Sequence, residues 1–282
     1  MRVHHLNCGC MCPVGGALFD GFSRGVRGTL ICHCLLVETE SSGLVLVDTG
    51  FGTGDIEQTY PRLSPLFVHL NQIQLERRYT ALEQVRQLGF SPSDVRHIVL
   101  THLDFDHAGG LEDFPDATVH VMVDEMEAAR RRHGFIARNR YRPQQWDGVK
   151  HWRFYGHKGV RWFGFDAVRD LDGLPPEILL VPLPGHTWGH AGVAVGAPEG
   201  WLLDAADTYF FRHEMDRPTR HAPLGARGYQ RMMAVDFDLH LHNQARLRDL
   251  SMDEAAGVRI FCSHDAVEFA ALSGLQGLPG QV

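Results

Sequence analysis

The sequence predicts a single α/β domain built in four layers: helices, sheet, sheet, helices. Three observations lead there. Short apolar runs of strand character fall in both halves of the 282-residue chain, with helical patterns between and after them. No linker, low-complexity tract or repeat divides the chain, so residues 1–282 read as one domain. Side chains of metal-ligand type recur directly after several of the apolar runs.

Leu30–Glu38 and Leu44–Asp48 alternate in strand fashion around Ser41-Ser42-Gly43, which predicts an antiparallel pair with a short turn. Asp48-Thr49-Gly50-Phe51-Gly52 ends the second strand. Tyr79–Leu88 carries apolar residues at helical spacing and stops at Gly89, a C-terminal cap. Ser91–Asp94 turns the chain into the apolar run His97–Leu100. Ala117–Val123 reads as a strand, and Asp124–Arg132 as a helix with an acidic first turn and a basic last turn, as the dipole favours. Further strands are expected at Ile178–Leu183, Ala191–Val195, Trp201–Asp204 and Val258–Cys262, with one or two helices within Gly228–Leu250.

Hydrophobic content of 44% and charged content of 22% are those of an ordinary globular protein that needs no metal merely to fold. The net charge of −7 argues against nucleic acid as a partner, since phosphate binding wants a basic face. No apolar run approaches a membrane span, and the first residues lack a signal core, so no membrane partner and a cytoplasmic location are expected. In that setting the six cysteines read as free thiols. Cys8-x-Cys10-x-Cys12 is spaced too tightly for the usual zinc knuckle and has no partner pair downstream.

The chemistry concentrates in His102-Leu103-Asp104-Phe105-Asp106-His107, between the apolar run and Gly109-Gly110. Two histidines and two aspartates in six residues present several metal-binding groups from one loop, which no packing need explains. His186, in Pro184-Gly185-His186-Thr187-Trp188-Gly189-His190, Asp207 and His264 each follow another apolar run. Asp204 and Asp207 compete for one role after the same strand.

These residues, with Val47-Asp48-Thr49-Gly50, resemble the metallo-β-lactamase superfamily over nearly the whole chain, and within it N-acyl-homoserine lactonase-like hydrolases. The resemblance implies an αββα sandwich with two divalent metal ions (zinc, iron or manganese) at one sheet edge. By motif position, His102, Asp104 and His186 would hold one metal and Asp106, His107 and His264 the other. Asp207 would bridge them, and Asp48 would orient a ligand imidazole from outside the shell. The implied function is hydrolysis, with metal-bound hydroxide attacking a lactone or related ester carbonyl and Asp106 or Asp207 handling the proton. Tyr209 is a candidate hydrogen-bond donor to the oxyanion, although the lactonases have their tyrosine one residue later, where this chain has Phe210. A di-iron redox protein of the same fold, or hydrolysis of phosphoesters or thioesters, is the alternative.

Asp104 departs from the usual His-x-His-x-Asp-His pattern. Its added negative charge predicts a more anionic core, a weaker Lewis acid and a shift toward harder metals. An arginine- and aromatic-rich insertion around residues 130–165 is expected either to cap a pocket for a small, anionic or amphipathic substrate or to form a surface excursion or homodimer contact.

Overall fold

Leu35 and Val37 in the strand Leu30–Glu38 face one way and Cys34 and Leu36 the other, yet all four are buried. A strand buried on both faces must be sandwiched, and the structure, a computed structural model describing residues 1–197, 199–216 and 220–275, shows how. The first sheet runs β1 (Arg2–Met11), β2 (Leu30–Glu38), β3 (Leu44–Val47), β4 (Val95–Val99), β5 (Thr118–Met122) and β6 (Trp152–Tyr155), in sequence order. The second holds β7 (Val160–Trp162), β8 (Phe165–Asp170), β9 (Ile178–Pro182), β10 (Ala191–Ala197), β11 (Gly200–Asp204) and β12 (Val258–Phe261), with β12 on the edge beside β11.

Between the sheets, Leu35, Val37, Val45, Val47 and Val99 meet Ile178, Leu180, Val193, Val195 and Phe261. Outside the first sheet, Leu36, Leu46 and Ile98 pack on Val85 of helix Ala81–Gln87 and on Met126 and Ala129 of helix Val123–Arg131. Outside the second, Leu179, Val181 and Leu203 receive Leu247 and Leu250 of helix Phe237–Ser251. Each such side chain contributes about 1.5–3 kcal/mol relative to exposure. The four layers expected from the sequence are the layers observed.

Four strands escaped the sequence reading. β1 carries Cys8 and Cys10 and ends just before Cys12, and the cysteines there read as thiols without revealing a strand; all six cysteines are free. β6, β7 and β8 lie within or beside the arginine-rich stretch, where exposed side chains such as Phe154 and Val160 break the alternation that marks a strand. Among the described residues no helix is long and apolar enough to cross a membrane.

The topology positions the site. β3, β4, β5 and β6 are parallel, as are β11 and β12, so the loops after β3 and β4 leave one end of the first sheet and those after β11 and β12 leave one end of the second. Backbone bonds close the two ends together: His33 N–H donates to Ser263 O at 2.9 Å and Ala191 N–H to Thr101 O at 3.0 Å.

Candidate metal centre

Seven side chains converge at that closed end. His102, Asp104, His186 and Asp207 form one group and Asp106, His107 and His264 a second, with the ligand atoms of each group within 4.8 Å of one another. All seven are at most 5% exposed. Asp207 joins the groups. Its Oδ2 lies 3.3 Å from His186 Nε2 and 3.9 Å from His102 Nε2, while its Oδ1 lies 3.0 Å from His264 Nε2 and 3.3 Å from His107 Nε2. Asp204 stands outside both groups: its Oδ1 accepts the Ala206 N–H at 2.9 Å, and burial holds its carboxyl well above the usual range.

Three of the four imidazoles are turned by a bond on the far nitrogen, while His186 Nδ1 is buried without a partner. His107 Nδ1 donates to Asp48 Oδ2 at 2.7 Å, and Asp48 also accepts the Thr101 N–H and hydroxyl. His264 Nδ1 donates to Ile31 O at 2.7 Å. His102 Nδ1 lies 2.9 Å from Thr101 Oγ1, whose own proton goes to Asp48, so that oxygen accepts. In all three the Nε2 lone pair therefore faces inward. His190 donates from Nδ1 to Leu183 O and accepts the Asp207 N–H on Nε2 at 3.1 Å, so it steadies Asp207 through its backbone and belongs to neither group.

The donors fit metal ions. His102 Nε2, His107 Nε2 and Asp207 Oδ1 are buried and lack any hydrogen-bond partner, a costly state for polar atoms unless something else engages them. Imidazole and carboxylate together suit zinc, iron or manganese. Burial pushes the Asp106 carboxyl up. Burial pushes Asp207 the same way, but His264, His107 and His186 reverse it and hold the carboxyl well below the usual range.

The expected surplus of negative charge at Asp104 is corrected by a residue the sequence reading passed over as one of a basic cluster. Arg140, 1% exposed at the end of helix Phe135–Arg140, forks onto Asp104 with Nε to Oδ1 at 2.6 Å and Nη2 to Oδ2 at 2.5 Å. Three carboxylates and a bridging hydroxide would neutralise two divalent ions; the guanidinium returns one positive charge. Burial alone would raise Asp104, and Arg140 and His102 reverse it to well below the usual range. The argument for a weaker Lewis acid and harder metals therefore loses its basis. A buried carboxylate without an obvious cation was the signal that could have led to Arg140.

Tyr209 is the second correction. Its backbone is extended, so it and Phe210 point to opposite sides. Tyr209 packs with Leu203, Leu247 and Cys262, and its hydroxyl donates to Glu268 at 3.0 Å. Phe210 is the ring at the site, with its centroid 4.7 Å from that of His264. Next to Phe210, at 5.9 Å, stands Tyr229 of helix Leu224–Met233, whose oxygen accepts from Asn71 Nδ2 at 3.2 Å. Burial and then Asp106 push its phenol up, so it keeps its proton.

Glu125 was also missed. It reads as an ordinary first-turn acid of a helix, yet it is fully buried and accepts from Leu103 N–H at 2.9 Å, Gly189 N–H at 3.1 Å and Thr187 Oγ1 at 2.5 Å. It thereby ties the loop of His102 and Asp104 to the loop of His186. Only glycine fits at position 189, because a Cβ there would lie 2.1 Å from Glu125 N. Of the insertion, its first part, with Arg131, Phe135, Ile136 and Arg140, lines a cavity of about 950 Å³ together with Trp188 and Met232. The later aromatics go elsewhere: Trp152 stacks on Phe154 in β6, and Trp162 of β7 packs on Trp201.

Comparison with known proteins agrees with this architecture. Residues 27–245 match the model of the metallo-β-lactamase superfamily, and the chain belongs to that superfamily. Its fold, its two ligand groups and that membership make it a metal-dependent hydrolase with a binuclear site. A protein of Mycobacterium tuberculosis named as a probable metallo-hydrolase is 40% identical over 265 residues, covering 94% of this chain and 80% of that one. An N-acyl homoserine lactonase of Bacillus cereus is 24% identical over 245 residues, covering 82% of this chain and 80% of its own. Among solved structures, an N-acyl homoserine lactone hydrolase with the product N-hexanoyl-L-homoserine at its catalytic metal centre superposes with a TM-score of 0.71. It shares 20% identity and covers 99% of this chain and 98% of that one.

Proposed function

We propose that this protein opens a lactone or cleaves a related ester of a small amphipathic molecule. The observation that carries the reading is the buried Asp207, whose carboxylate lies within 3.3 Å of His186 of one ligand group and of His107 and His264 of the other. His102, Asp104 and His186 would hold one divalent ion, and Asp106, His107 and His264 the other, with Asp207 shared. When bound, such ions lower the pKa of a water to make the nucleophile and polarise the scissile carbonyl.

The chain's own residues supply the rest. Asp48, Ile31 O and Thr101 fix the imidazole tautomers, and His190 fixes Asp207. Asp106 is the carboxylate suited to carry a proton to the leaving alkoxide, because its ion-pair partners among the described residues, His107 and His264, stay 4.0 and 3.8 Å away, whereas Asp207 is shared between both groups. Tyr229 remains protonated, and its oxygen already accepts from Asn71, so its O–H is free to donate to an oxyanion. A cavity lined by Phe135, Trp188 and Met232 together with Asp124, Glu127 and Arg131 favours a molecule with both an apolar and a polar part. The similarity to proteins named N-acyl homoserine lactonases supports the lactone class.

The test is a hydrolysis screen of metal-loaded protein over lactones, aryl esters, thioesters, phosphotriesters and β-lactams. Turnover of lactones above the other classes, lost on chelation and regained with zinc or manganese, is the expected result. Turnover of phosphotriesters or thioesters alone would overturn the lactone assignment.

A further inference from the structure

We infer that Arg140 competes with metal for the first of the two positions, so that the positions load unequally and the second fills first. The inference rests on the two-metal reading and adds to it an internal control over occupancy.

The guanidinium is held from every side. Nε and Nη2 fork onto Asp104, Nη1 donates to Met233 O at 2.5 Å and lies 3.3 Å from His186 O, and Nη2 lies 2.7 Å from His186 Nε2. A guanidinium has no lone pair to offer, so at 2.7 Å the imidazole nitrogen is the acceptor. The lone pair of His186 that a metal would take is thus occupied by an N–H, and both Asp104 oxygens accept from the same cation. Two of the four donors in the first group are engaged.

The second group is different. Asp106 has only His107 and His264 as ion-pair partners among the described residues, at 4.0 and 3.8 Å. His107 Nε2 takes part in no hydrogen bond. An ion entering there displaces no cation, whereas an ion entering beside His102 must push the Nη2 group off His186. The two arrangements of Arg140 then define two states of the first position: Nη2 on His186, or a metal there with the guanidinium kept beside Asp104.

The opposite role, a buttress that stays in place and orients Asp104 for the metal, makes a prediction of opposite sign. Removing a partner that orients a ligand weakens metal binding by about 10–100-fold. Removing a competitor tightens it. The sign therefore decides.

The experiment uses the full chain stripped with a chelator and titrated with Co²⁺, followed by calorimetry and by the visible bands of bound cobalt. The wild type is expected to take one equivalent tightly and a second at least about tenfold more weakly. Arg140→Met should tighten the second step and narrow the gap. Asp104→His with Arg140→Met leaves no buried carboxylate unpaired, so it covers the case in which Arg140→Met fails to fold, and it should load two ions with nearly equal affinity. A looser second step in Arg140→Met, or two equal steps in the wild type, would overturn the competition. One equivalent in all three proteins would overturn the two-metal reading itself, and the competition with it.

Discussion

Glu125→Gln perturbs the site from behind while keeping shape and volume. The carboxylate accepts three hydrogen bonds, from Leu103 N–H, Gly189 N–H and Thr187 Oγ1, in a fully buried setting. An amide presents one acceptor oxygen and one NH2. Whichever way it turns, at least one backbone N–H then meets another donor. If the oxygen keeps Thr187 and Gly189, Leu103 N–H is orphaned; if it keeps Leu103, Gly189 N–H is orphaned and Thr187 must rotate. An orphaned buried donor costs about 1–3 kcal/mol, and the lost bond was to an acid group, so a total of about 2–4 kcal/mol is expected. Because the orphan lies in one of the two ligand loops, metal affinity should fall as well, by about 10–100-fold. Urea unfolding of stripped protein at neutral pH reads the first quantity, and Zn²⁺ titration against a chromophoric chelator reads the second. A stability loss below about 0.5 kcal/mol with unchanged zinc affinity would refute the view that Glu125 joins the loops, since changes away from such features fall in that range.

Three further outcomes follow from the same geometry. Asp207→Asn should abolish binding of both ions, while Asp204→Asn, replacing a carboxyl that lies outside both ligand groups, should retain metal; elemental analysis of the two proteins decides, and the reverse pattern would make Asp204 the bridge. Tyr229→Phe should lower kcat about tenfold or more, with metal content and KM unchanged, if the phenol donates to the oxyanion; a change in KM alone would assign it to packing. His120 is fully buried between His97 and the Tyr155 hydroxyl, and burial, then His97, bring its pKa down to about 3. The unfolded chain takes up that proton near pH 6.5 and the folded chain does not, so stability is lost as pH falls from about 6.5 toward 3, at about 1.4 kcal/mol per unit. His120→Gln should therefore flatten the dependence of the urea midpoint between pH 6.5 and 4; an unchanged slope would place the acid sensitivity elsewhere.

The legible parts of this molecule were the local ones. His102, Asp104, Asp106 and His107 sit in one loop and announce themselves by density, and β2, β3, β9 and β10 by apolar runs. His186, Asp207 and His264 were found because each follows such a run, and the structure brings all seven together. What stayed hidden was non-local or register-dependent. Arg140 meets Asp104 from a separate helix, and nothing in its neighbourhood of arginines singles it out. Glu125 satisfies a helix dipole equally well whether exposed or buried, so its role depends on loops that reach it from elsewhere in the chain. Tyr209 failed by one residue along the extended stretch after Asp207, where successive side chains point to opposite sides. The edge strands β6 and β7 expose aromatic and arginine side chains that a core strand would not carry.

The central claim is that Asp207 stands between two metal ions in a hydrolase. Crystals of the fully loaded protein, measured at the absorption edge of the bound metal, test it directly. The account predicts two anomalous peaks flanking the Asp207 carboxylate, one against His102 and His186 and one against Asp106, His107 and His264. A single peak at full loading, or a pair with Asp204 between them, would contradict it.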